Sequence, residues 1–263
     1  MPEPAISTES AAHAQATAEP GYEYRVVRVA EAVRFVAAGE WDMPDFQRRF
    51  VWEPGQVCAL ADSLWRNYPI GALLLWNARA ADHGRRCAPL WIADGQQRLT
   101  SLCLMYGVEP PWVRRMADTS RRRLGRRLDL RFDVEAIDAP FVFAGPRGVR
   151  EEPRLIPLAR LLALDPSHER GWIELGRLAE ELWAAGCCRE IDADALRARL
   201  ARVSMIGRRQ LAAAVVSHGR EGVLEVFARL NSRGMRFRRL LLKMAMEQIP
   251  AALRGRRGWC CDP

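Results

Sequence analysis

The segment Pro89-Leu90-Trp91-Ile92-Ala93-Asp94-Gly95-Gln96-Gln97-Arg98-Leu99-Thr100-Ser101-Leu102 constrains this chain more than any other. A short apolar run that ends on an acid, then one glycine, then apolar residues at helical spacing predict a buried strand feeding directly into a helix. The first turn of such a helix has backbone N–H groups with no helical partner and carries the positive end of the dipole, which together accept an anion such as phosphate. Asp94 is then placed to hold a magnesium ion or orient a water. Gln96 or Gln97 is placed to position a nucleophile, and Arg98 to stabilise charge on a transferring phosphoryl group. These four are the candidate catalytic residues, with Gly95 at the phosphate itself. A structural reading stands beside this one: Asp94 followed by Gln97 three residues later fits a capping box, worth roughly 1 kcal/mol of helix stability without any ligand.

Patterns on either side of this segment give an α+β chain. Residues 1–20 are small and polar, with nothing to bury, and are expected to be a disordered tail. From Tyr22, YEYRVVRV alternates as a strand and EAVRFVAAGEW has helical spacing. Pro54 opens a helix that puts Val57, Leu60, Ala61 and Leu64 on one face. ALLLW at 72–76 reads as a second buried strand, and RLDLRFDV as a further one. The first domain is expected to close near residue 150. Residues 151–250 read as mainly helical (LIPLARLLAL, HERGWIELGRLAEELWAAG, DADALRARLARVSMI), followed by a strand in RRQLAAAVVS and a helix in EGVLEVFARLNSRG. Residues 251–263 show no period and are expected to be an irregular tail.

Two more segments carry candidate binding residues. In MPDFQRRFVW, Phe46, Phe50 and Trp52 are apolar anchors while Gln47 and Arg48 project toward a cleft; alternatively Trp52 is a hydrophobic staple for the helix at Pro54 and the arginines are solvated. In FARLNSRG, Asn231 and Ser232 offer hydrogen bonds to phosphate or sugar oxygens, Arg229 offers charge, and Gly234 ends the helix; ordinary C-terminal helix chemistry accounts for the same residues.

Composition narrows the partners. A net charge of +8 favours polyanions such as DNA or nucleotides. Lys243 is the sole lysine, so the arginine excess reflects a compositional bias and position has to decide. Arg114, Arg115, Arg122, Arg123 and Arg126 are candidate contacts to a DNA backbone, or a solvated basic face. The seven cysteines follow no metal-ligand spacing, the four histidines form no catalytic set, and no phosphate loop ending in Gly-Lys-Ser/Thr occurs. No apolar run reaches the roughly 18 residues of a membrane span, so the chain is expected in the cytoplasm with reduced thiols.

Taken in order, MPDFQRRFVW, IADGQQRL and VFARLNSRG resemble the N-terminal domain family of the GmrSD restriction endonucleases, and DSLWRNYPIGALLLW is similar to that family's helix, turn and strand. The resemblance runs from about residue 24 to 245. It implies a ParB-like, sulfiredoxin-like α+β domain with a small mixed sheet and a helical portion completing it, from a bacterial anti-phage restriction system. It implies NTP with Mg2+ bound and hydrolysed at Asp94 to Arg98, with Phe46, Gln47, Arg48, Arg229, Asn231, Ser232 and Gly234 contributing. The chain departs from the family in reading FRRLLLKM where an acid in an Asp-Leu-Leu context is usual. It also ends some 30 residues after Gly234, without the HNH nuclease domain many members carry. The expected function is therefore an NTPase module that acts on DNA through a separate HNH-type nuclease, with homo-oligomerisation open. The alternatives are a ParB-like DNA-binding module that uses nucleotide as a switch without hydrolysis, and a truncated, non-catalytic remnant.

Overall fold

The computed structural model describes residues 21–43, 50–78, 90–117, 120, 124, 129–143, 152–188 and 190–230. Its larger sheet contains β1 (Tyr22–Arg28), β2 (Trp41–Asp42), β3 (Leu73–Trp76), β4 (Leu90–Asp94) and β8 (Gln210–Val216), in the order β1-β8-β3-β4-β2. The sheet is mixed: β1 with β8 and β3 with β4 are antiparallel, whereas β8 with β3 and β4 with β2 are parallel. β8 comes from the far end of the described chain and lies between β1 and β3, so both halves of the sequence share one sheet.

The first helices are built as their sequences predict. In α1 (Val29–Ala37) the residues Val29, Ala32, Val33 and Val36 recur at helical spacing and are all buried. Pro54 is the first residue of α2 (Pro54–Trp65), where its missing N–H is no loss, and Gln56 accepts from the Glu53 N–H at 3.0 Å. Val57, Leu60, Ala61 and Leu64 are its buried face. α3 (Gln96–Met105) buries Leu99, Leu102 and Cys103, and the short α4 (Pro111–Arg114) docks on it through Trp112, whose Nε1–H donates to Thr100 Oγ1 at 3.0 Å.

A second, antiparallel sheet has the order β6-β5-β7, with β5 (Leu130–Asp133), β6 (Phe141–Phe143) and β7 (Leu155–Pro157). Rings tie it to α2: Trp65 meets Phe132 at 6.4 Å and Phe141 at 6.2 Å between centroids. LIPLARLLAL, expected to be helical throughout, divides into β7 and α5 (Leu158–Leu162), because residues 155–157 find a ladder partner in β5. α6 (Glu169–Ala184), α7 (Ala193–Ser204) and a 3-10 turn (Met205–Arg208) then lead to β8 and α8 (Arg220–Leu230). Ile92 and Leu99 share the main core with Phe132, Leu161, Leu175, Leu200 and Ile206. On the other side of the large sheet, Leu74, Trp76 and Val216 form a smaller cluster with Val223 and Phe227 of α8.

Cys58, Cys103, Cys187 and Cys188 are free thiols. Burial pushes Cys58 up to about 11 and Cys103 up to about 12, so both stay protonated and behave as small core residues. Among the described residues, no helix is long and apolar enough to cross a membrane.

Candidate functional site

The site begins with an irregularity in the ladder between β3 and β4. Trp76 pairs with Trp91 and Leu75 with Ile92, and then the register shifts so that Leu74 pairs with Asp94, which leaves Ala93 as an extra residue. Such a bulge re-aims the side chain that follows it. Leu73, Leu75 and Ile92 belong to the main core, whereas Leu74 belongs to the cluster under α8, against which Ala93 also packs. In an unbroken ladder Asp94 would stand opposite Leu73 and share the core face with Ile92, where an unpaired carboxylate is costly. The extra residue turns it instead to the side on which α8 packs, and its side chain keeps 35% exposure. α8 is the helix that carries Arg229 and runs toward Asn231 in sequence.

Gly95 makes the connection from strand to helix. Its φ is +93°, and a Cβ there would lie 2.4 Å from Leu73 Cδ2 and 3.3 Å from Arg98 Nη2, so both its backbone and its lack of a side chain are used. Gly95 is also the N-cap of α3, and no side chain caps the helix. The capping box read into Asp94 and Gln97 is therefore not formed: Asp94 stands one residue too early. Gln97 Oε1 accepts instead from the N–H groups of Val51 (2.9 Å) and Trp52 (3.2 Å), which fastens the end of the 43–52 segment to the first turn of α3.

Arg98 folds back under the same turn. Its Nη1 donates to the Ile70 carbonyl at 2.8 Å, its Nη2 to the Ala72 carbonyl at 2.9 Å, and Nη2 lies 3.5 Å from Asp94 Oδ2. Gly71, at φ +81°, lets the 70–72 turn close on the guanidinium, since a Cβ there would come within 2.9 Å of Nη1. Burial lowers the Arg98 pKa from its usual value and the Asp94 carboxylate opposes that shift. Both terminal amino groups thus serve the turn before β3, and Arg98 holds Asp94 from behind. Arg98→Ala should cost about 2–4 kcal/mol of unfolding free energy, because two carbonyls lose charged donors in a half-buried place. Arg98→Lys should recover less than half of that, since one ammonium does not bridge both carbonyls. Urea unfolding of the two variants measures this, and wild-type stability in Arg98→Ala would refute the clamp.

The other candidate residues are distributed unevenly. Phe46, Gln47 and Arg48 lie outside the described residues, but both flanks of their segment are anchored beside α3. At one flank Arg115 makes a two-point ion pair with Asp42, at 3.0 and 3.1 Å, and donates to the Met43 carbonyl at 3.0 Å; at the other stands Gln97. Arg115, read from sequence as a DNA contact, is thus engaged within the chain. Arg114 is exposed on α4, and Arg122, Arg123 and Arg126 lie outside the described residues. Gln97→Ala and Arg115→Ala should each speed tryptic cleavage after Arg48 and Arg49 severalfold by releasing one anchor; unchanged digestion rates would show that these bonds do not restrain the segment. Arg229 is exposed and pairs with Glu225 at 2.9 Å, while Asn231, Ser232 and Gly234 lie outside the described residues.

Sequence reasoning missed Gly71, Asp42 and the structural duty of Arg115. The Pro-Ile-Gly turn at 69–71 was a visible signal for the first; the ion-pair partners had none. Among the described residues, no three His, Cys, Asp or Glu side chains gather as a metal cage. A single carboxylate such as Asp94 suits Mg2+, which takes most of its ligands from phosphates and water.

Residues 30–159 match the model of the family described as GmrSD restriction endonuclease, N-terminal domain. The match contains Asp94 to Arg98, both anchors of the 43–52 segment and the 70–72 turn, and stops before β8 and α8. No curated protein matches the chain.

Proposed function

Because residues 30–159 belong to the N-terminal domain family of the GmrSD restriction endonucleases, a module of restriction-like defence systems, we propose that this chain binds an NTP with Mg2+ at the start of α3, hydrolyses it, and couples that step to DNA cleavage by a partner HNH-type nuclease in the cytoplasm. The observation that carries the reading is the re-aimed Asp94 carboxylate beside the first turn of α3, whose N-cap is Gly95. Phosphate oxygens take the turn's N–H groups. Asp94 and phosphate are both anionic and would repel if bare; an Mg2+ ion held by Asp94 would offset that repulsion and would supply Lewis-acid stabilisation of the transferring group. Asp94 would be the protein ligand for the ion. Gly95 leaves space for phosphate at the turn, Gln96 orients the attacking water, and Gln97 ties the first turn to the backbone of Val51 and Trp52. Arg98 is a positioning residue that keeps Asp94 and the turn in place.

One observation favours the second reading, in which nucleotide is a switch that is not hydrolysed. Arg98 has both terminal amino groups on carbonyls, so the charge expected to stabilise a transferring phosphoryl group is spent on the scaffold. Phosphate release from ATP, GTP, CTP and UTP with Mg2+, with and without DNA, tests the two, with equilibrium nucleotide binding measured alongside and Asp94→Ala as control. Release that depends on Asp94 supports hydrolysis. Binding without release moves the chain to the switch, and absence of binding refutes both.

A further inference from the structure

β1 is an end strand of the larger sheet among the described residues, and its two edges differ. The Val29 N–H donates to the Arg209 carbonyl and the Ser217 N–H to the Gly21 carbonyl, each at 2.9 Å. With the register that runs from Tyr22↔Val216 to Arg28↔Gln210, these bonds make the odd-numbered residues the ones whose backbone groups face β8. Alternation turns the N–H and C=O groups of Tyr22, Tyr24 and Val26 to the open edge. The stretch is closed at one end, where the Arg28 N–H is taken by Glu31 Oε2 at 2.8 Å. Tyr24 is its midpoint.

The side chains repeat the same symmetry. Tyr22, Tyr24 and Val26 share one face and are 67%, 73% and 66% exposed, with the two rings in edge contact at 5.5 Å. On the other face Glu23 and Arg25 form an ion pair. Read outward from Tyr24 the strand is self-complementary, with Glu23 balanced by Arg25 and Tyr22 by Val26. Between 22 and 26 it has no proline or bulge to prevent pairing, the usual protections of an open edge.

We propose that β1 is a self-association edge, pairing antiparallel with β1 of a second copy about a two-fold axis through Tyr24 and joining two five-stranded sheets into one. In this register Tyr24 exchanges backbone bonds with the partner's Tyr24, and Tyr22 with the partner's Val26, so each outward group is used. Glu23 stands opposite the partner's Arg25 at a position without backbone bonds, where side chains approach most closely. An axis through Arg25 would set arginine against arginine, and an axis through Glu23 would set carboxylate against carboxylate, so charge selects the Tyr24 register. The merged apolar stripe lies on the sheet side that α8 partly covers, since Tyr22 and Tyr24 pair with Val216 and Ala214.

Analytical ultracentrifugation of the full chain over a range of concentrations tests the proposal, with wild type, Tyr24→Pro, Glu23→Arg, Arg25→Glu, the double reversal, and an equimolar mixture of the two single reversals. The wild type should form a concentration-dependent dimer. Tyr24→Pro should be monomeric with a nearly unchanged Tm, because its lost N–H faces away from β8. Each single reversal should weaken the dimer about tenfold or more, while the double reversal and the mixture should restore it. The proposal is overturned by a wild type that stays monomeric, as it would if another part of the same chain covers this edge. It is equally overturned by a dimer indifferent to Tyr24→Pro, or by reversals that mixing does not rescue.

Discussion

Asp94→Ala is expected to lower phosphate release by about 100- to 1000-fold, the usual loss when a preorganised electrostatic group is removed from a transferring centre. Its folding stability should change by no more than about 1 kcal/mol, because the pair it makes with Arg98 is long and partly open to water. Arg98 keeps its two carbonyl acceptors in the variant, so the 70–72 turn stays closed. Asp94→Asn separates charge from shape: a loss equal to that of alanine assigns the effect to the negative charge that would hold Mg2+, whereas retained activity would assign it to hydrogen bonding alone. Equal turnover in wild type and Asp94→Ala would remove the carboxylate from the chemistry and leave the first turn of α3 as a binding element.

Gly95→Ala should be the most destabilising small substitution near the site, at about 3 kcal/mol. A positive φ costs an L residue roughly 1–2 kcal/mol. A Cβ 2.4 Å from Leu73 Cδ2 adds overpacking, of order 1–3 kcal/mol, because Leu73 is held in β3 and only 3% exposed. The Tm should fall by about 6–12 °C for a domain of this size. Gly39→Ala is the control: its φ is +74° but nothing lies within 4 Å of a Cβ there, so only the backbone share of the cost should appear. If the two variants lose equal stability, the contact with Leu73 relaxes freely and Gly95 is needed for its φ alone.

The candidate site was legible as far as local pattern reaches. A strand, an acid, a glycine and a helix could be read from residues 89–102 because period and punctuation are local properties, and the same holds for Pro54 at the start of α2. Sequence left a capping box between Asp94 and Gln97 open as an alternative, because spacing alone does not report which residue takes the N-cap conformation. Gln97 instead bonds residues 45 and 46 positions away, Arg98 bonds carbonyls 26 and 28 away, and Arg115 pairs with an acid 73 away. Such partners are chosen by the tertiary arrangement, and no periodicity encodes them. Ala93 is the clearest case: in WIAD it continues an ordinary strand, and only the ladder with β3 makes it the residue that turns Asp94 around.

The position of β8 also sets an order of events during synthesis. β1 leaves the ribosome almost two hundred residues before the strand that will flank it, so the large sheet stays in two pieces, with β3, β4 and β2 on one side and β1 waiting alone, until Val216 has emerged. Pairing at that sequence separation is slow and exposes strand edges meanwhile. Until then the nascent chain holds β1 with both of its backbone edges unpaired.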